Sequence, residues 1–453
     1  MNSKLPLPGL DRAHIIKRDE HPISRKNIAP SALKVLYRLN ESGFHGYLVG
    51  GGVRDLLLGN TPKDFDIATN ATPEEIRQLF RNSRIIGRRF KIVHIRYGRE
   101  IIEVTTFRAH HNALNEIDDT APRRQIRGLD SAHSSSGIIL RDNVYGDIDQ
   151  DALRRDFTVN ALYYTVDHFR VLDFSTGMDD LRARQIRIIG DPVERYKEDP
   201  VRMLRAIRFS AKLGFTIEEA TQRPFRQLAM LLKSISPARL FDETLKLMTG
   251  GHAVATFALL SEYHLGHFLF APTLKAWTQA DGSWCKLVDL ALANTDKRLA
   301  AGKSVTPAFL FAALLWPVLN TRLGQLSNTD GNQQQHFVQA ANQTLAAQLE
   351  YTAIPRRFTA ASREIWELQY RLQRRNKRSI ESVFNHPRFR AAYDFLLLRE
   401  ESGEELDSLG QWWTDFQIGD TKRKSEMIAA VSKSRKRRRR RRKRKPPGVS
   451  QES

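Results

Sequence analysis

The stretch from Leu48 to Thr69, LVGGGVRDLLLGNTPKDFDIAT, constrains the fold of this 453-residue chain more than any other. An apolar strand ends in three glycines, and a helix begins immediately after them. Further along, Asp64 and Asp66 alternate with Phe65 and Ile67, the pattern of a strand with one polar and one apolar face. The sequence therefore predicts a sheet with both carboxylates on one face, close to a glycine turn.

This combination of turn and carboxylates also has a chemical use. Glycines after a strand let backbone amides approach an anion closely, and the N–H groups of the new helix point at the same place. Two carboxylates on one side can bind two magnesium ions, which bridge the attacking and leaving oxygens of an in-line displacement. Each feature alone is commonplace, because an Asp-x-Asp pair is usually a solvated strand edge and a glycine pair only a turn. Together they favour phosphoryl or nucleotidyl transfer.

The charge of the chain is high and unevenly distributed. Lysine and arginine number 72 against 51 aspartates and glutamates, a formal charge of +21, and 12 of the basic residues lie within 433–445. Because like charges cannot pack against each other, we expect 431–453 to be a disordered tail. The rest of the chain still carries 21 − 12 = +9. Polyanions are the expected partners, nucleic acid ahead of acidic membrane.

Cysteine content and hydropathy indicate the compartment. Cys285 is the only cysteine, which excludes intrachain disulfides and thiolate zinc clusters and favours a reducing environment. The longest apolar stretch, 308–319, is far shorter than the about 20 residues of a membrane-spanning helix, so we expect a buried helix there. The N-terminus has no apolar core of signal-peptide length. We therefore expect a cytoplasmic protein without a transmembrane segment.

Strands and helices interleave in the first part of the chain. The elements predicted there are a helix over 28–43, a strand over 47–49, a helix from 53, a strand over 65–68, a capped helix over 72–79 and strands over 84–86, 92–96 and 101–107. Residues 112–137 lack any period, so we expect a long flexible loop. A helix over 147–162, short strands near 170–173 and 185–189, and nearly continuous helix from 191 to 431 follow. The predicted fold class is α+β.

Five motifs resemble those of the class II nucleotidyltransferases of the polymerase-β superfamily, which comprise bacterial poly(A) polymerases and tRNA CCA-adding enzymes. They are GGGVRDLLLG with DFDIAT, RRDFTVNAL at 154–162, GMDDL at 177–181, EDPVR at 198–202 and SPARLFDE at 236–243. The resemblance is specific over 28–247 and weaker towards 398. It implies a polymerase-β-like nucleotidyltransferase head with a mixed β-sheet, then all-α neck, body and C-terminal domains and a disordered basic tail.

The resemblance also implies roles for individual residues. Asp64 and Asp66 match the catalytic metal ligands, and Asp156 matches an active-site residue of the second motif. Asp199 and Arg202 match the pair that selects the incoming base. The residues implied to hold the triphosphate are Gly50, Gly51, Arg54, Arg154 and Arg155. The resemblance further implies ATP as the substrate and a site for two magnesium ions, which manganese could also occupy.

Two assignments keep an alternative. Three apart on a helix, Asp199 and Arg202 would face the same way and offer one acceptor and one donor fork to a base, but the same spacing suits a surface ion pair. Glu103 lies in the strand over 101–107, where a neighbouring strand often supplies a third metal ligand in polymerase-like sites. In class II enzymes two aspartates can suffice, so a metal role for Glu103 stays open.

Residues 85–95, IIGRRFKIVHI, resemble the signature that separates bacterial poly(A) polymerases from CCA-adding enzymes. Basic residues interleaved with aromatics over 355–393 suit a surface for single-stranded RNA, although we expect the aromatics themselves to be core. The tail should add affinity that falls steeply with salt; in a eukaryote it could instead be a nuclear localisation signal. The predicted RNA-binding residues are Arg88, Arg89, Arg374, Arg375, Arg438 and Arg439.

The resemblance therefore implies a template-independent polynucleotide adenylyltransferase that adds AMP from ATP to RNA 3′ ends, in RNA processing and decay. A tRNA CCA-adding enzyme and a non-catalytic RNA-binding protein are the alternatives. We expect a monomer whose partners are single-stranded RNA 3′ ends and RNA-decay factors. The expected domains are an N-terminal extension (1–27), a catalytic head (28–175) with a flexible loop (112–137), a base-binding neck (176–255), a body with an RNA-binding region (256–430) and the basic tail (431–453).

Overall fold

The computed structural model divides the chain into two compact units, Met1–Ser234 and Ile235–Ser453. The described strands all belong to the first unit, and the second is helical. The finer division at 175 and 255 stays a prediction. The described residues are 7–87, 91–109, 116–117, 131–134, 139–142, 144–278, 283–326 and 332–431.

An eight-stranded mixed sheet forms the centre of the first unit. Its strand order is β1-β11-β10-β2-β3-β6-β5-β4; β3 pairs with β6 in parallel, and the other neighbours are antiparallel. Strands β7 to β9 form a small sheet, and β12 pairs with β13. The strands are β1 His14–Ile16, β2 Gly46–Val49, β3 Asp66–Thr69, β4 Ser83–Ile86, β5 Ile92–Tyr97, β6 Glu100–Thr106, β7 Glu116–Ile117, β8 Ser131–Ser134, β9 Ile139–Asp142, β10 Leu162–Tyr164, β11 Val171–Asp173, β12 Gln185–Ile186 and β13 Thr216–Ile217.

Helices surround this sheet and make up the second unit. Those of the first unit are α1 Pro30–Glu41, α2 Gly51–Leu57, α3 Pro73–Leu79, α4 Ile148–Leu153, α5 Gly177–Ala183, α6 Pro192–Glu198, α7 Val201–Leu213, α8 Glu219–Gln222 and α9 Phe225–Leu228. Those of the second are α10 Pro237–Met248, α11 Ala253–Glu262, α12 His267–Thr278, α13 Ser283–Ala300, α14 Pro307–Leu326, α15 Gln333–Leu349, α16 Arg356–Gln373, α17 Lys377–Phe384, α18 Phe389–Glu401 and α19 Leu409–Ile418. Residues 421–431 are also helical.

Local signals in the sequence predict many of these elements correctly. Helix α3 begins with the expected capping box, in which the Thr72 hydroxyl accepts from the Glu75 N–H and the Glu75 carboxylate accepts from the Thr72 N–H. Ser236 caps α10, and Pro237 takes its first position. The apolar stretch 308–319 lies in α14 and is almost wholly buried. Among the described helices none is both long and apolar enough to cross a membrane.

The expectation of one long loop over 112–137 is wrong in part. Strands β7 and β8 lie within that range, and β8 pairs antiparallel with β9. These strands have two to four residues each. Segments that short carry no detectable alternation, so only their pairing with one another identifies them as strands.

The helix predicted over 147–162 is also wrong beyond its first turns. Helix α4 ends at Leu153, a 3₁₀ turn covers Thr158–Asn160, and Leu162–Tyr164 is strand β10. This strand pairs with β2 on one side and β11 on the other, and all three of its side chains are buried. Backbone pairing inside the sheet therefore overrides the helical pattern.

The segment 1–27, predicted as an extension, contributes to the head sheet. Strand β1 pairs along its whole length with β11. Just before it, Arg12 Nη1 donates a 2.5 Å hydrogen bond to Oδ2 of Asp149, whose side chain is buried at the start of α4. The residues from Arg12 to Ile16 are thus an integral part of the first unit.

Candidate active site

The glycine turn between β2 and α2 has a backbone that only glycine adopts easily. Gly50 has φ of +71°, and a Cβ added to it would lie 3.8 Å from Arg155 Nη1 and 4.0 Å from Asp66 Oδ2. A Cβ on Gly52 would come within 3.3 Å of the Asp64 carbonyl oxygen. The turn therefore brings together backbone, an arginine and the carboxylate strand.

Three carboxylates lie on one face of the sheet. Asp66 opens β3, and its parallel partner on β6 is Glu103. Asp64 lies two residues before Asp66, and both are exposed while Phe65 and Ile67 are buried, as the alternation predicts. In the described part of the chain no three His, Cys, Asp or Glu side chains converge into a ready-made metal cluster. Glu103 Oε1 lies 3.1 Å from Nε2 of His94 on β5.

The ionised form of the Asp66 side chain is disfavoured by its surroundings. Protein atoms around it displace part of its hydration, and Glu103 and Asp64 add negative charge, so its pKa rises to about 6 although Arg155 opposes the shift. A site that resists holding its own negative charge is stabilised by a cation. Carboxylate oxygens are the ligands that magnesium prefers, so this face fits a divalent metal.

An arginine cluster of the first unit has an excess of positive charge. Desolvation and the charges of four neighbouring arginines lower the pKa of Arg154 to about 9. Burial, with Arg202 next, likewise lowers the pKa of Arg195 to about 10. Such crowding of positive charge is relieved by a polyanion. The cluster consists of Arg108, Arg154, Arg155, Arg195 and Arg202.

Arg155 connects this arginine cluster to the glycine turn. Its Nε donates to the Tyr163 hydroxyl at 2.7 Å, and its Nη2 donates to Asp151 Oδ2 at 3.0 Å. Although desolvation opposes it, Tyr163 and Asp151 raise the pKa of Arg155 above its ordinary value. These bonds aim Nη1 at Gly50. A permanent positive charge thus lies beside the turn and beside Asp66.

Arg54 occupies a different environment from the one the sequence predicts. Its side chain is buried, 1% exposed. The guanidinium donates twice to Asp55 Oδ1, at 2.9 and 2.6 Å, and once to Asn160 Oδ1 at 2.5 Å. It lies under Gly51, where a Cβ would be 3.3 Å from Nη2. Arg54 therefore braces the turn from below instead of projecting from it.

Asp156 is held in the same hydrogen-bond network. Arg205 Nε donates to its Oδ2 at 2.7 Å, the Phe157 N–H donates to Oδ1 at 2.8 Å, and Asn160 adds a longer bond. Burial works in the other direction, but Arg205 and these bonds lower the pKa of Asp156. Its carboxylate is thus occupied by partners from α7 and the turn after α4, and Asn160 links it to Arg54.

Asp199 and Arg202 do not share a helix, which corrects the predicted geometry. Asp199 has an extended backbone between α6 and α7, because Pro200 follows it and disfavours helical conformation at the preceding residue. Arg202 is buried in the first turn of α7, where Nη1 donates to Glu198 Oε2 and to the Arg195 carbonyl oxygen, both at 2.7 Å. The two residues are neighbours across a helix junction.

The predicted RNA-binding residues fall into two groups. Arg374 and Arg375 lie between α16 and α17, the first exposed and the second half-buried with its guanidinium 5.9 Å from the centre of the Trp412 ring. The other four, Arg88, Arg89, Arg438 and Arg439, lie outside the described residues. Among the aromatics of 355–393, Trp366 and Phe389 are buried, which confirms that they are core.

The family of the chain follows from the match to known families and proteins. Three family models match, described as "Poly A polymerase head domain" over 46–187, "Probable RNA and SrmB- binding site of polymerase A" over 214–278 and "Polymerase A arginine-rich C-terminus" over 329–446. Poly(A) polymerase I of Escherichia coli O6:H1 is 48% identical over 408 residues, 89% of this chain and 86% of that protein. This chain belongs to the poly(A) polymerase family. It is a nucleotidyltransferase, as the motifs imply.

Other relatives include both poly(A) polymerases and CCA-adding enzymes. Poly(A) polymerase I of Haemophilus influenzae is 45% identical over 421 residues, 92% of this chain and 90% of that protein. The CCA-adding enzyme of Lactobacillus helveticus is 36% identical over 251 residues, only 55% of this chain and 57% of that enzyme. Poly(A) polymerase is therefore favoured over CCA-adding enzyme.

The fold itself is shared with solved tRNA-processing enzymes. One structure titled "tRNA-processing enzyme (apo form I)" has a TM-score of 0.56 and 20% identity, covering 90% of this chain and 97% of that one. The Thermotoga maritima CCA-adding enzyme has a TM-score of 0.54 and 18% identity, covering 88% of this chain and 85% of that one. These likenesses concern the fold, and they agree with the predicted α+β head followed by helices.

Several residues of the site were missing from the sequence-based prediction. Glu198 opens the EDPVR motif and contacts Arg195 and Arg202, so its position in the motif was the available signal. His94 faces Glu103 directly across β5 and β6, which strand alternation could have indicated. Asn160 lies within the motif at 154–162, which was the available signal, whereas Arg205 gave none, because its contact with Asp156 depends on how distant elements pack.

Proposed function

We propose that this polymerase adds AMP from ATP to the 3′ ends of single-stranded RNA, with its chemistry at the turn between β2 and α2. One observation carries the proposal. A carboxylate with a raised pKa, Asp66, lies beside an arginine cluster in which the pKa of Arg154 is lowered. Arg155, a member of that cluster, acts on the Asp66 carboxylate and points at Gly50, so acidic and basic groups meet at one turn, as a complex of metal ions and a polyphosphate requires.

Asp64 and Asp66 would hold the divalent ions of the site. Their exposed oxygens and the raised pKa of Asp66 support this role, and the relation of the chain to nucleotidyltransferases implies divalent metal use. Magnesium, or manganese in its place, would lower the barrier by neutralising charge on the α-phosphate and the departing pyrophosphate. Glu103, already bonded to His94, is proposed as an outer ligand.

The triphosphate would lie against the glycine turn. Gly50 and Gly51 allow close approach because neither has a side chain, and Arg154 and Arg155 supply positive charge. Arg54 acts indirectly in this proposal, as a positioning residue beneath the turn. Asp156 is likewise proposed as a positioning residue, since its carboxylate binds Arg205 and is linked through Asn160 to Arg54.

The base of the nucleotide would be selected by Asp199 and Arg202. Glu198 supports this role, because its carboxylate bonds Arg202 and Arg195 together and so fixes the direction of the Arg202 guanidinium. A guanidinium held in a fixed direction discriminates between base edges better than a mobile guanidinium. Adenine and cytosine would present different hydrogen-bonding edges to Arg202.

RNA would be bound through arginines outside the catalytic turn. We propose Arg374 and Arg375 for the second unit, with Arg88, Arg89, Arg438 and Arg439 from the sequence. The match to a family described as a probable RNA-binding site of polymerase A supports an RNA substrate. A cytoplasmic location, a monomeric state and contacts with RNA-decay factors stay predictions.

The decisive test is extension of a 5′-labelled RNA primer with magnesium and one NTP at a time. A long ladder with ATP alone is expected from the wild type. Asp64→Asn should abolish the ladder while leaving the melting temperature and RNA binding nearly unchanged, because Asp64 is exposed and its carboxylate forms no hydrogen bond or ion pair with the residues that the structure describes.

The same gel separates the alternatives. One to three additions to a tRNA lacking its 3′ end, only when CTP and ATP are both present, would identify a CCA-adding enzyme. RNA binding with no extension under any condition would identify a non-catalytic RNA-binding protein. Normal activity of Asp64→Asn would overturn the assignment of Asp64 as a metal ligand.

A further inference from the structure

Helix α15 presents an exposed face without a charged side chain. Its 17 residues, QQQHFVQAANQTLAAQL, contain no Asp, Glu, Lys or Arg, in a chain of which 27% is charged. The side chains that point to solvent are mostly amides. Surface helices usually carry charged or polar residues on the outer face, so a long face of amides without a charge is a distinctive feature of this helix.

A shallow groove of about 440 Å³, wide open to solvent, lies over this face of the helix. We call it the amide face. Val338, 42% exposed, lies in the groove, and Leu349, 56% exposed, lies three turns further along the same side of the helix. Apolar contacts thus lie among the amides. The groove is lined by Gln334, Gln335, Val338, Gln339, Asn342 and Gln343.

Three arginines from neighbouring segments of the second unit border the amide face. Arg322 Nη1 donates to Gln343 Oε1 at 3.4 Å, and Arg374 Nη2 donates to Gln333 Oε1 at 3.3 Å. Arg363 donates to Asn342 Oδ1. Each of these arginines donates to one amide oxygen, and because such an oxygen has two lone pairs, the amide can still offer an acceptor beside its N–H donors. The border is cationic and the centre is neutral.

We propose that the amide face binds the single-stranded adenylate tail. Adenine offers an acceptor at N7 beside a donor at N6, the arrangement that asparagine and glutamine side chains match bidentately. Val338 and Leu349 can contact base faces, and the bordering arginines can pair with phosphates. The amide face would thus hold the product of the reaction, so this inference rests on the proposed function.

The charges at the border favour RNA over other occupants. A second copy of the chain would bring the same arginines towards each other across an isologous contact, which is unfavourable. Polyadenylate supplies phosphates for the arginines and bases for the amides together. This correspondence of charge and hydrogen-bonding groups is the reason to choose a nucleic acid as the occupant.

The test is the affinity of the full-length protein for fluorescein-labelled oligo(A) and oligo(C) of equal length, measured by fluorescence anisotropy. The variant Gln339→Ala/Asn342→Ala removes two exposed amides and keeps helix propensity. We expect its affinity for oligo(A) to fall about tenfold and its affinity for oligo(C) to change less than about twofold. Gln411→Ala, an exposed amide on α19, is the control and should change neither.

Other results would overturn the inference. Equal losses for both oligonucleotides would mean that the face does not read adenine, and no loss would mean that it does not bind the tail. If the variant eluted at a different volume from the wild type in size-exclusion chromatography, the amide face would be an interface between copies of the chain. A single AMP addition to a short primer without adenines should be unchanged in the variant. If the wild-type protein bound oligo(A) preferentially but added no AMP, the proposed function would be refuted, whereas the inference that the amide face binds adenylates would not.

Discussion

At the scale of the residue, two groups of the first unit are held in charge states that the protein alone does not favour. The pKa of Asp66 is raised to about 6 and that of Arg154 is lowered to about 9. Desolvation by the surrounding protein atoms is the first cause of both pKa shifts, and nearby like charges are the second. A bound cation would reverse the first shift and a bound polyphosphate the second, so each ligand makes the site more receptive to the other.

The first prediction concerns the stability cost of Asp66. The pKa of Asp66 in the folded state is about 6, above the ordinary 3.8. The free energy of unfolding therefore decreases as pH rises from about 4 through about 6, and the whole decrease is present above that range. Asp66→Asn should therefore raise the free energy of unfolding of the metal-free protein at neutral pH. Because Asp66 is exposed to solvent, we expect a gain of about 1 kcal/mol instead of the full shift. Urea denaturation at neutral and at acidic pH measures it.

The control for this prediction is Asp242→Asn, an exposed aspartate on α10, which should leave stability unchanged at both values of pH. Magnesium should raise the melting temperature of the wild type but not that of Asp66→Asn. A destabilised Asp66→Asn variant at neutral pH would contradict the assigned cause of the pKa shift.

The second prediction concerns Glu198, which bonds both Arg195 and Arg202. Glu198→Gln should leave the Arg202 fork less firmly oriented, so the preference for ATP over CTP, measured as the ratio of kcat/KM values, should fall by about tenfold. Glu194→Gln, on the exposed side of the same helix in an ion pair with Lys197, is the matched control. An unchanged preference in Glu198→Gln would remove this residue from base selection.

At the scale of the element, close packing decides where α5 begins. A Cβ on Gly177 would lie 2.5 Å from the Thr158 carbonyl oxygen, a backbone atom that cannot move aside cheaply. Gly177→Ala should therefore reduce the free energy of unfolding by about 2 kcal/mol or more, measured by chemical denaturation. The first residue of the motif GMDDL is thus subject to a packing requirement.

Gly324→Ala is the matched control for that prediction. Gly324 lies exposed within α14, and among the described residues no atom outside its chain neighbours and its own helix backbone lies within 4 Å of an added Cβ. The same substitution should there stabilise by about 0.5–1 kcal/mol, because alanine loses less backbone entropy in a helix. Equal effects at both positions would show that helix propensity, and not the contact with Thr158, controls Gly177.

At the scale of the whole molecule, the charge of the chain is concentrated at one end. Deleting 433–453 removes 12 basic residues. RNA affinity and the slope of log K against log salt should both decrease, because fewer counterions are released on binding. Single-nucleotide addition at a saturating primer concentration should be unchanged. A salt titration by fluorescence anisotropy measures the slope, and an identical slope would exclude the tail from RNA binding.

Most elements of the first unit, and the carboxylates of the site, could be predicted from sequence because their causes are local. Alternation placed Asp64 and Asp66 on one face, and the capping box fixed the start of α3. Strand β10 could not be predicted, because β2 and β11, which pair with it, are distant in sequence. Arg54 was assigned to phosphate for the same reason: its burial depends on Asn160, more than a hundred residues away.

The sequence by itself determined the glycine turn, the paired carboxylates, the charged tail and, through its motifs, the family, since each depends on neighbours within one or two turns of chain. Only the tertiary structure decided which arginines surround the turn, that Arg12 and β1 belong to the head, and that Asp199 and Arg202 meet across a helix junction. These features arise from contacts between segments far apart in the chain, where burial and electrostatics depend on packing that no local pattern encodes.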